Sequence, residues 1–166
     1  MSGHAAYVRR ESAISIVING ALSLVFFLLV FGRLDPVPIA GLGHYAFDFL
    51  PQSFMIGLMA TLVPGLLTRA KLRKGLLAPA PGRTLLPASL PARVGIVALG
   101  SLLAGGLVGG AWLMLGGASL GWWAALSFKI AYGALLALVV TPPGLRAALR
   151  AGAPSASADL PEGVSR

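Results

Sequence analysis

The chain of 166 residues contains no cysteine, five acidic residues and only two histidines. Without cysteine it forms no disulfide, carries no thiolate nucleophile and offers no sulfur ligand to a metal. His4 and His44 fall on opposite sides of the predicted membrane, and the sequence has no G-x-S-x-G or H-E-x-x-H motif. These absences argue against a metal centre, a cofactor and a catalytic triad, so we do not expect an enzyme.

Charged residues are also scarce, at 11% of the chain, whereas soluble domains carry about a quarter. Hydrophobic residues make up 57%, and the mean hydropathy is +0.85. Three windows contain no charge: 13–31 and 49–67, of 19 residues each, and 94–128, of 35 residues. A helix of about 20 residues crosses the roughly 30 Å of a bilayer's hydrocarbon core. The composition therefore excludes a soluble domain and predicts an all-α membrane protein.

Four transmembrane helices are predicted, over about 11–31, 48–67, 92–115 and 120–140. The longest uncharged window is too long for one span, and a glycine-rich segment at 116–121 divides it. The two prolines at 142 and 143 are expected to end the fourth helix. We expect two antiparallel hairpins in one transmembrane domain over 1–151, followed by a disordered cytoplasmic tail over 152–166.

The basic residues are distributed asymmetrically about these spans. Eleven of the thirteen Lys and Arg residues flank one side, Arg33 lies on the other, and Lys129 lies within the fourth span. By the positive-inside rule, both termini and the central loop are cytoplasmic, and we expect a multi-pass protein of a bacterial inner membrane. The net charge of +8 is then expected to meet anionic lipid headgroups rather than nucleic acid. The central-loop residues expected to do so are Arg69, Lys71, Arg73 and Lys74.

Two segments at the cytoplasmic ends of the second and fourth spans resemble each other. Residues 64–73 and 143–150 both begin with Pro-Gly-Leu and continue with basic residues. The similarity suggests a parallel internal repeat of two like hairpins. Pro-Gly followed by basic residues is also a general way to end a span, so both explanations stay open at this stage.

Lys129 has the most unusual position of all the charged residues. It is about the ninth residue of the fourth span, some 12 Å below the boundary at 1.5 Å per residue. A charged lysine at such depth costs about 2.5–3.5 kcal/mol, so it should face the bundle interior or a wet cavity. It is interpreted either as a substrate or proton site, or as a structural lysine whose ammonium reaches outward to Tyr132 or to loop carbonyls.

Asp48 and Gln52 at the start of the second span are the expected partners of Lys129. Their i, i+4 spacing puts both side chains on one helix face, so they could form a polar ladder with the lysine. Alternatively, Asp48 simply caps the second helix. Asn19 in the first span is expected to bond a neighbouring helix rather than a ligand. The predicted intramembrane polar site thus comprises Lys129, Asp48, Gln52, Tyr132 and Asn19.

The third span carries two overlapping G-x-x-x-G patterns, which bare the backbone for close helix packing. The residues are Gly105, Gly106, Gly109 and Gly110. The pattern predicts a helix-packing face, and the neighbour is either a helix of the same chain or a second copy. A homo-oligomer and a complex with another membrane protein are therefore both candidate assemblies.

The sequence favours an accessory or scaffold subunit of a membrane complex as the function. The alternative is a small transporter or channel, which normally needs more polar groups near the midplane than a lone Lys129. Multidrug exporters of this size carry a glutamate inside the first span, whereas Glu11 lies at the boundary, so the chain does not resemble them. Transport or ligand binding would become the favoured function if the loop over 33–47 packed down as a lid over Lys129.

Overall fold

A computed structural model describes residues 3–82, 84–115 and 117–151 of the chain. Four helices are present in this part of the chain, and each is long and apolar enough to cross a membrane, which confirms that expectation. They are α1 (Gly3–Phe31), α2 (Phe49–Arg73), α3 (Leu90–Leu115) and α4 (Trp122–Arg150). The tail predicted over 152–166 lies outside the described residues.

Three of the helices are distinctly longer than the sequence predicts. α1 begins at Gly3, α2 continues to Arg73, and α4 passes through Pro142 and Pro143 instead of ending at 140. Prolines inside a spanning helix are tolerated where neighbouring helices support the backbone. Arg93 of α3 also donates from Nη1 to the carbonyl of Gly144, at 3.0 Å, and this bond joins α3 to α4 just beyond the prolines. The expectation that the prolines end α4 was wrong, because the helix continues through both of them to Arg150. The Gly144 carbonyl is not one of those that the prolines leave without a helical donor, which are the carbonyls of Leu138 and Val139.

The helices do not pack in the order in which they follow one another along the chain. α1 packs mainly against α4, α2 packs against both α3 and α4, and α1 barely touches α2. The spatial order is therefore α1, α4, α2, α3. Packed hairpins of consecutive helices are not confirmed. Exchanging α1 with α3 and α2 with α4 gives α3, α2, α4, α1, which is the same order read backwards, as a repeat requires. The repeat itself stays a prediction.

The two loops at one end of the bundle are joined by a short antiparallel ladder. β1 (Val37–Pro38) lies in the α1–α2 loop and pairs with β2 (Ser119–Leu120) in the α3–α4 loop, with Val37 opposite Leu120. The amide of Ile39 also donates to the carbonyl of Ala118, at 3.1 Å. We call residues 32–47 the lid, and the end of the bundle that they cover the lid end.

Beneath the lid lies the main hydrophobic core, which is strongly aromatic. Its buried members are Phe27, Phe31, Val37, Tyr45, Phe49, Ala125 and Leu126. The rings of Tyr45 and Phe49 meet edge to face with centroids 5.2 Å apart, a favoured aromatic geometry. The lid is thus part of the folded core and not a loose connection.

Candidate intramembrane polar site

An ion pair between α4 and the start of α2 lies at the centre of the predicted polar site. Lys129 is 1% exposed, and its Nζ donates to Oδ2 of Asp48 at 2.9 Å. The Asp48 side chain accepts no capping hydrogen bond from the backbone amides in the first turn of α2, and the backbone of Asp48 itself is helical. The capping role expected for Asp48 is therefore wrong, because the carboxylate is turned away from the backbone and towards the lysine.

Two aromatic rings cover the ammonium of Lys129. Nζ lies 3.7 Å from the centroid of Phe49 and 5.1 Å from that of Tyr45, so cation–π attraction adds to the ion pair. Tyr45 donates its hydroxyl to the carbonyl of Ala125, at 2.9 Å. Burial, and to a smaller degree the nearby Asp48 carboxylate, raises the pKa of Tyr45, so the phenol keeps the proton that it donates.

Gln52 and Tyr132 lie next to the ion pair and bond other groups instead of the ammonium. Gln52 donates from Nε2 to Ser23 Oγ at 2.9 Å and to the backbone carbonyl of Lys129 at 3.4 Å. The hydroxyl of Tyr132 lies 2.5 Å from Ser53 Oγ. The structural alternative in which Lys129 reaches Tyr132 or loop carbonyls is thus not what is observed.

Asn19 belongs to a chain of hydrogen bonds that runs inward from the ion pair along the α1–α4 interface. Ser23 donates to the Asn19 carbonyl at 2.8 Å, and Asn19 Nδ2 donates to the Ser15 carbonyl at 2.8 Å. Ser15 Oγ then lies 2.9 Å from Thr141 Oγ1. Together with Gln52, these residues join the ion pair to the inner half of the bundle. Asn19 is bonded within its own helix rather than directly across to another.

The lid closes the site from the loop side. Val37, Ile39 and Tyr45 are each 0% exposed, so the lid packs down among the helices rather than lying on them. Trp122 fixes it through its amide to Asp35 Oδ1, at 3.1 Å, and through Nε1 to the Gly32 carbonyl, at 2.8 Å. No local sequence pattern marks the two rings that cover Lys129, because their position depends on this long-range docking.

A cleft of about 270 Å³ lies between α1 and α2 and reaches the Asp48 side of the ion pair. Its polar lining is Asn19, Ser23, Asp48 and Gln52, and its apolar lining includes Leu22, Phe26, Met55 and Met59. Those four apolar side chains are between 40% and 48% exposed on the surface that faces lipid in a membrane. We call this feature the lateral cleft.

The four glycines of the overlapping G-x-x-x-G patterns in α3 divide into two pairs. A Cβ at Gly105 would overlap Ser53 and the Phe49 carbonyl of α2, and one at Gly109 would overlap the Ala46 carbonyl of the lid. These two glycines therefore serve packing within the chain. Gly106 and Gly110 leave space instead, along a shallow groove that Leu42, Phe47 and Leu113 also line.

The basic residues of the central segment have different surroundings. Lys71 forms an ion pair with Glu11 at 2.9 Å, and Arg69 donates to the Ala88 carbonyl at 3.3 Å. Arg73 and Lys74 are exposed. Arg93, expected only to flank the third span, is instead 0% exposed and donates to the carbonyls of Gly144 and Ala88.

Comparison of the chain with protein-family models, with curated proteins and with solved structures gives no match. The function is therefore argued from the geometry of the site alone.

Proposed function

We propose that this chain is a small transporter of the bacterial inner membrane that holds a polar group of its ligand beside the Asp48–Lys129 pair. The observation that carries the proposal is the pair itself, whose lysine is 1% exposed inside a spanning helix. Burying two charges costs several kcal/mol per ion before their attraction returns part of it. Ionisable residues inside a membrane commonly mark the paths of substrates and ions.

The lid supports transport over the scaffold role that the sequence favours. Its Tyr45, which is fully buried, covers the Lys129 ammonium, so a ligand beside the ion pair is separated from water on that side. The lateral cleft leaves the Asp48 carboxylate reachable from between α1 and α2. The site is thus closed at the lid and reachable sideways from the lipid, so a transported ligand would pass between the bilayer and the lid end. Exchange at the loop side then needs the lid to move.

A bound ligand should depend on the ion pair, and native mass spectrometry of protein released from nanodiscs tests this. We expect the wild-type chain to retain a small molecule that the double variant Asp48→Asn/Lys129→Met loses. The double variant should still assemble, because an ion pair replaced on both sides leaves no unpaired buried charge. Lys74→Met, which removes an exposed lysine, is the matched control and should retain the molecule. Equal retention by the double variant would contradict the proposal.

Locking the lid tests whether it gates the site. Pro38 and Ser119 are register partners in the β1–β2 ladder, and the chain has no cysteine of its own to interfere. Directly opposite residues in an antiparallel pair lie close enough for a disulfide. We expect oxidised Pro38→Cys/Ser119→Cys protein to release its ligand at least tenfold more slowly than the reduced form. Identical release rates would exclude a gating lid.

A scaffold or accessory subunit remains the second candidate, favoured by one observation. The groove beside Gly106 and Gly110 is open and apolar, so a helix of another chain could approach the backbone of α3 there. Gly106→Leu/Gly110→Leu should then remove a co-purifying protein, while the assembly of the single chain is unchanged. The same substitutions at Gly105 and Gly109 do not test this function, because those glycines pack within the chain.

The proposed orientation follows the positive-inside rule, with both termini and the central segment cytoplasmic and the lid end outside. Exposed Arg73 and Lys74 are then placed to attract anionic headgroups. Lys74→Cys should react with an impermeant thiol reagent only after the cell is opened. We propose no catalytic role, no metal and no cofactor for the site.

A further inference from the structure

We infer that the lateral cleft binds an amphiphile with a primary ammonium head, which enters sideways from the lid-end leaflet and places its head at Asp48. The inference deepens the proposed function and rests on it. It identifies the chemical class of the ligand and its route. Three observations carry it: the acceptors that line the cleft, the concealment of the Lys129 ammonium, and the apolar length below the acceptors.

The polar groups that line the cleft act mainly as hydrogen-bond acceptors. Gln52 Nε2 already donates to Ser23 and to the Lys129 carbonyl, whereas Gln52 Oε1 is buried with no partner among the described residues. Asp48 accepts from Lys129 through Oδ2. An unsatisfied buried acceptor costs about 1–3 kcal/mol, which a ligand's donor would recover once the Gln52 amide turns its oxygen into the cleft.

The ammonium of Lys129 is hidden from the cleft. It is absent from the cleft lining, is 1% exposed, and lies behind Asp48 under the rings of Phe49 and Tyr45. The carboxylate of Asp48 has a side-chain exposure of 16% and faces the cleft. A cation that donates hydrogen bonds therefore complements this surface, and an anionic head does not.

Below the acceptors the cleft is apolar and long. From Asp48, just before α2, to Met59 the cleft extends over eleven residue steps, or about 16 Å at 1.5 Å per residue, of which about 10 Å lie beyond Gln52. Leu22 and Phe26 of α1 form the opposite wall with Met55 and Met59 of α2. Methionines suit a site that takes a flexible chain, because their side chains adapt to irregular shapes. The dimensions fit an alkyl tail beneath a single polar head.

A fluorine probe in the cleft tests the inference. A trifluoromethyl tag is attached to the cysteine of a Leu22→Cys variant, where it lies in the cleft. The matched control carries the tag at Leu103→Cys, because Leu103 is 71% exposed on the lipid-facing side of α3. The full chain is placed in phosphatidylcholine nanodiscs and titrated with dodecylamine. We expect a saturable change of the fluorine signal at position 22 and only a linear, unsaturable change at position 103.

Head-group chemistry is tested with two further probes of equal chain length. Dodecyltrimethylammonium keeps the positive charge but has no N–H donor, and dodecanoate reverses the charge. Both should bind at least tenfold more weakly than dodecylamine. Gln52→Leu should weaken the binding of dodecylamine at least tenfold. Gln52→Glu retains the acceptor oxygens and should not weaken it. Equal affinities for all three probes, or no saturable signal at position 22, would overturn the inference.

The ammonium head could belong to a free amphiphile or to a bilayer lipid, and lipid composition distinguishes them. Replacing phosphatidylcholine by phosphatidylethanolamine, which has N–H donors, should shift the dodecylamine titration to higher concentration if the lipid is the ligand. An unchanged titration assigns the site to a free amphiphile. Either result supports the shared head-group chemistry.

Failure of this inference is distinguishable from failure of the proposed function. If Asp48→Asn/Lys129→Met loses a co-purifying molecule but the wild-type chain does not bind dodecylamine, the proposed ligand site is supported. The amine head and the lateral route are then wrong. If dodecylamine binding depends on Gln52 but the lid disulfide has no effect on ligand release, binding in the cleft is supported. The gating role of the lid is then wrong.

Discussion

Two fully buried cations in this bundle, Lys129 and Arg93, are held in opposite ways. Lys129 pairs with a carboxylate, lies under two aromatic rings and borders a cleft. Arg93 donates to two backbone carbonyls, and its Nε has no partner among the described residues. The difference is our reason for proposing a site at Lys129, whereas Arg93 joins the carbonyls of Gly144 and Ala88.

The largest effect should come from breaking the Lys129 pair on one side. Asp48→Ala leaves a buried, unpaired ammonium and is expected to lower the free energy of unfolding by about 3–5 kcal/mol. Asp48→Leu/Lys129→Met should restore most of that loss, because neither charge is left uncompensated. Unfolding in mixed detergent–SDS micelles measures both. If the double variant were as unstable as the single one, the two side chains would not be coupled.

Removing the other cation should cost less. Arg93→Met removes the bonds that the guanidinium donates to the Gly144 and Ala88 carbonyls. Arg69 still donates to Ala88, and Gly144 lies inside α4, so we expect a loss of about 1–2 kcal/mol for two lost bonds rather than for unpaired acceptors. Arg93→Lys keeps the charge but lacks the forked guanidinium, so it should recover only part of the loss. Full recovery with lysine would mean that charge, and not the two bonds, is what matters at this position.

A smaller effect is expected where the lid meets α4. Tyr45→Phe keeps the ring over Lys129 but removes the hydroxyl that bonds the Ala125 carbonyl, which should cost about 1 kcal/mol. Hydrogen exchange at the lid amides should rise in the same variant. Phe47→Leu, at an exposed lid position, is the control and should change neither quantity. No increase in exchange would show that the ring alone fixes the lid.

The smallest effect should come from the hydrogen bonds of the α1–α4 interface. Ser15→Ala removes the contact with Thr141, and such bonds between membrane helices contribute about 0.6 kcal/mol on average. The same mixed-micelle unfolding assay should detect a change of that order. A loss as large as that of Asp48→Ala would mean that the inner polar chain matters as much as the ion pair.

The position of Lys129 and the choice of its partner could be predicted from the sequence. A single charge within an apolar span must be satisfied internally, and Asp48 is the acid at the start of the second span. The capping rule misassigned Asp48 because it is local, whereas the pair depends on how α2 meets α4. The number of spanning helices and the depth of Lys129 were both predictable, because each depends only on composition along the chain.

The lid and the length of α4 could not be predicted, because both depend on partners distant in the sequence. β1 and β2 have two residues each, too few for any periodic pattern, and they lie in different loops of the chain. Tyr45 of the lid bonds Ala125 of α4, a contact that no local pattern indicates. The prolines of α4 would end the helix by the local rule, but α4 continues through them to Arg150 while it packs against α1 and α2.

The spatial order α1, α4, α2, α3 has a consequence for biosynthesis. α1 meets its main neighbour only when α4 has been inserted after α2 and α3, so α1 must remain in the lipid or beside the insertion machinery until α4 follows. α2 and α3, which follow each other directly, can associate earlier. Truncation before α4 should therefore leave α1 unassembled and open to membrane proteases, while α2 and α3 are already joined.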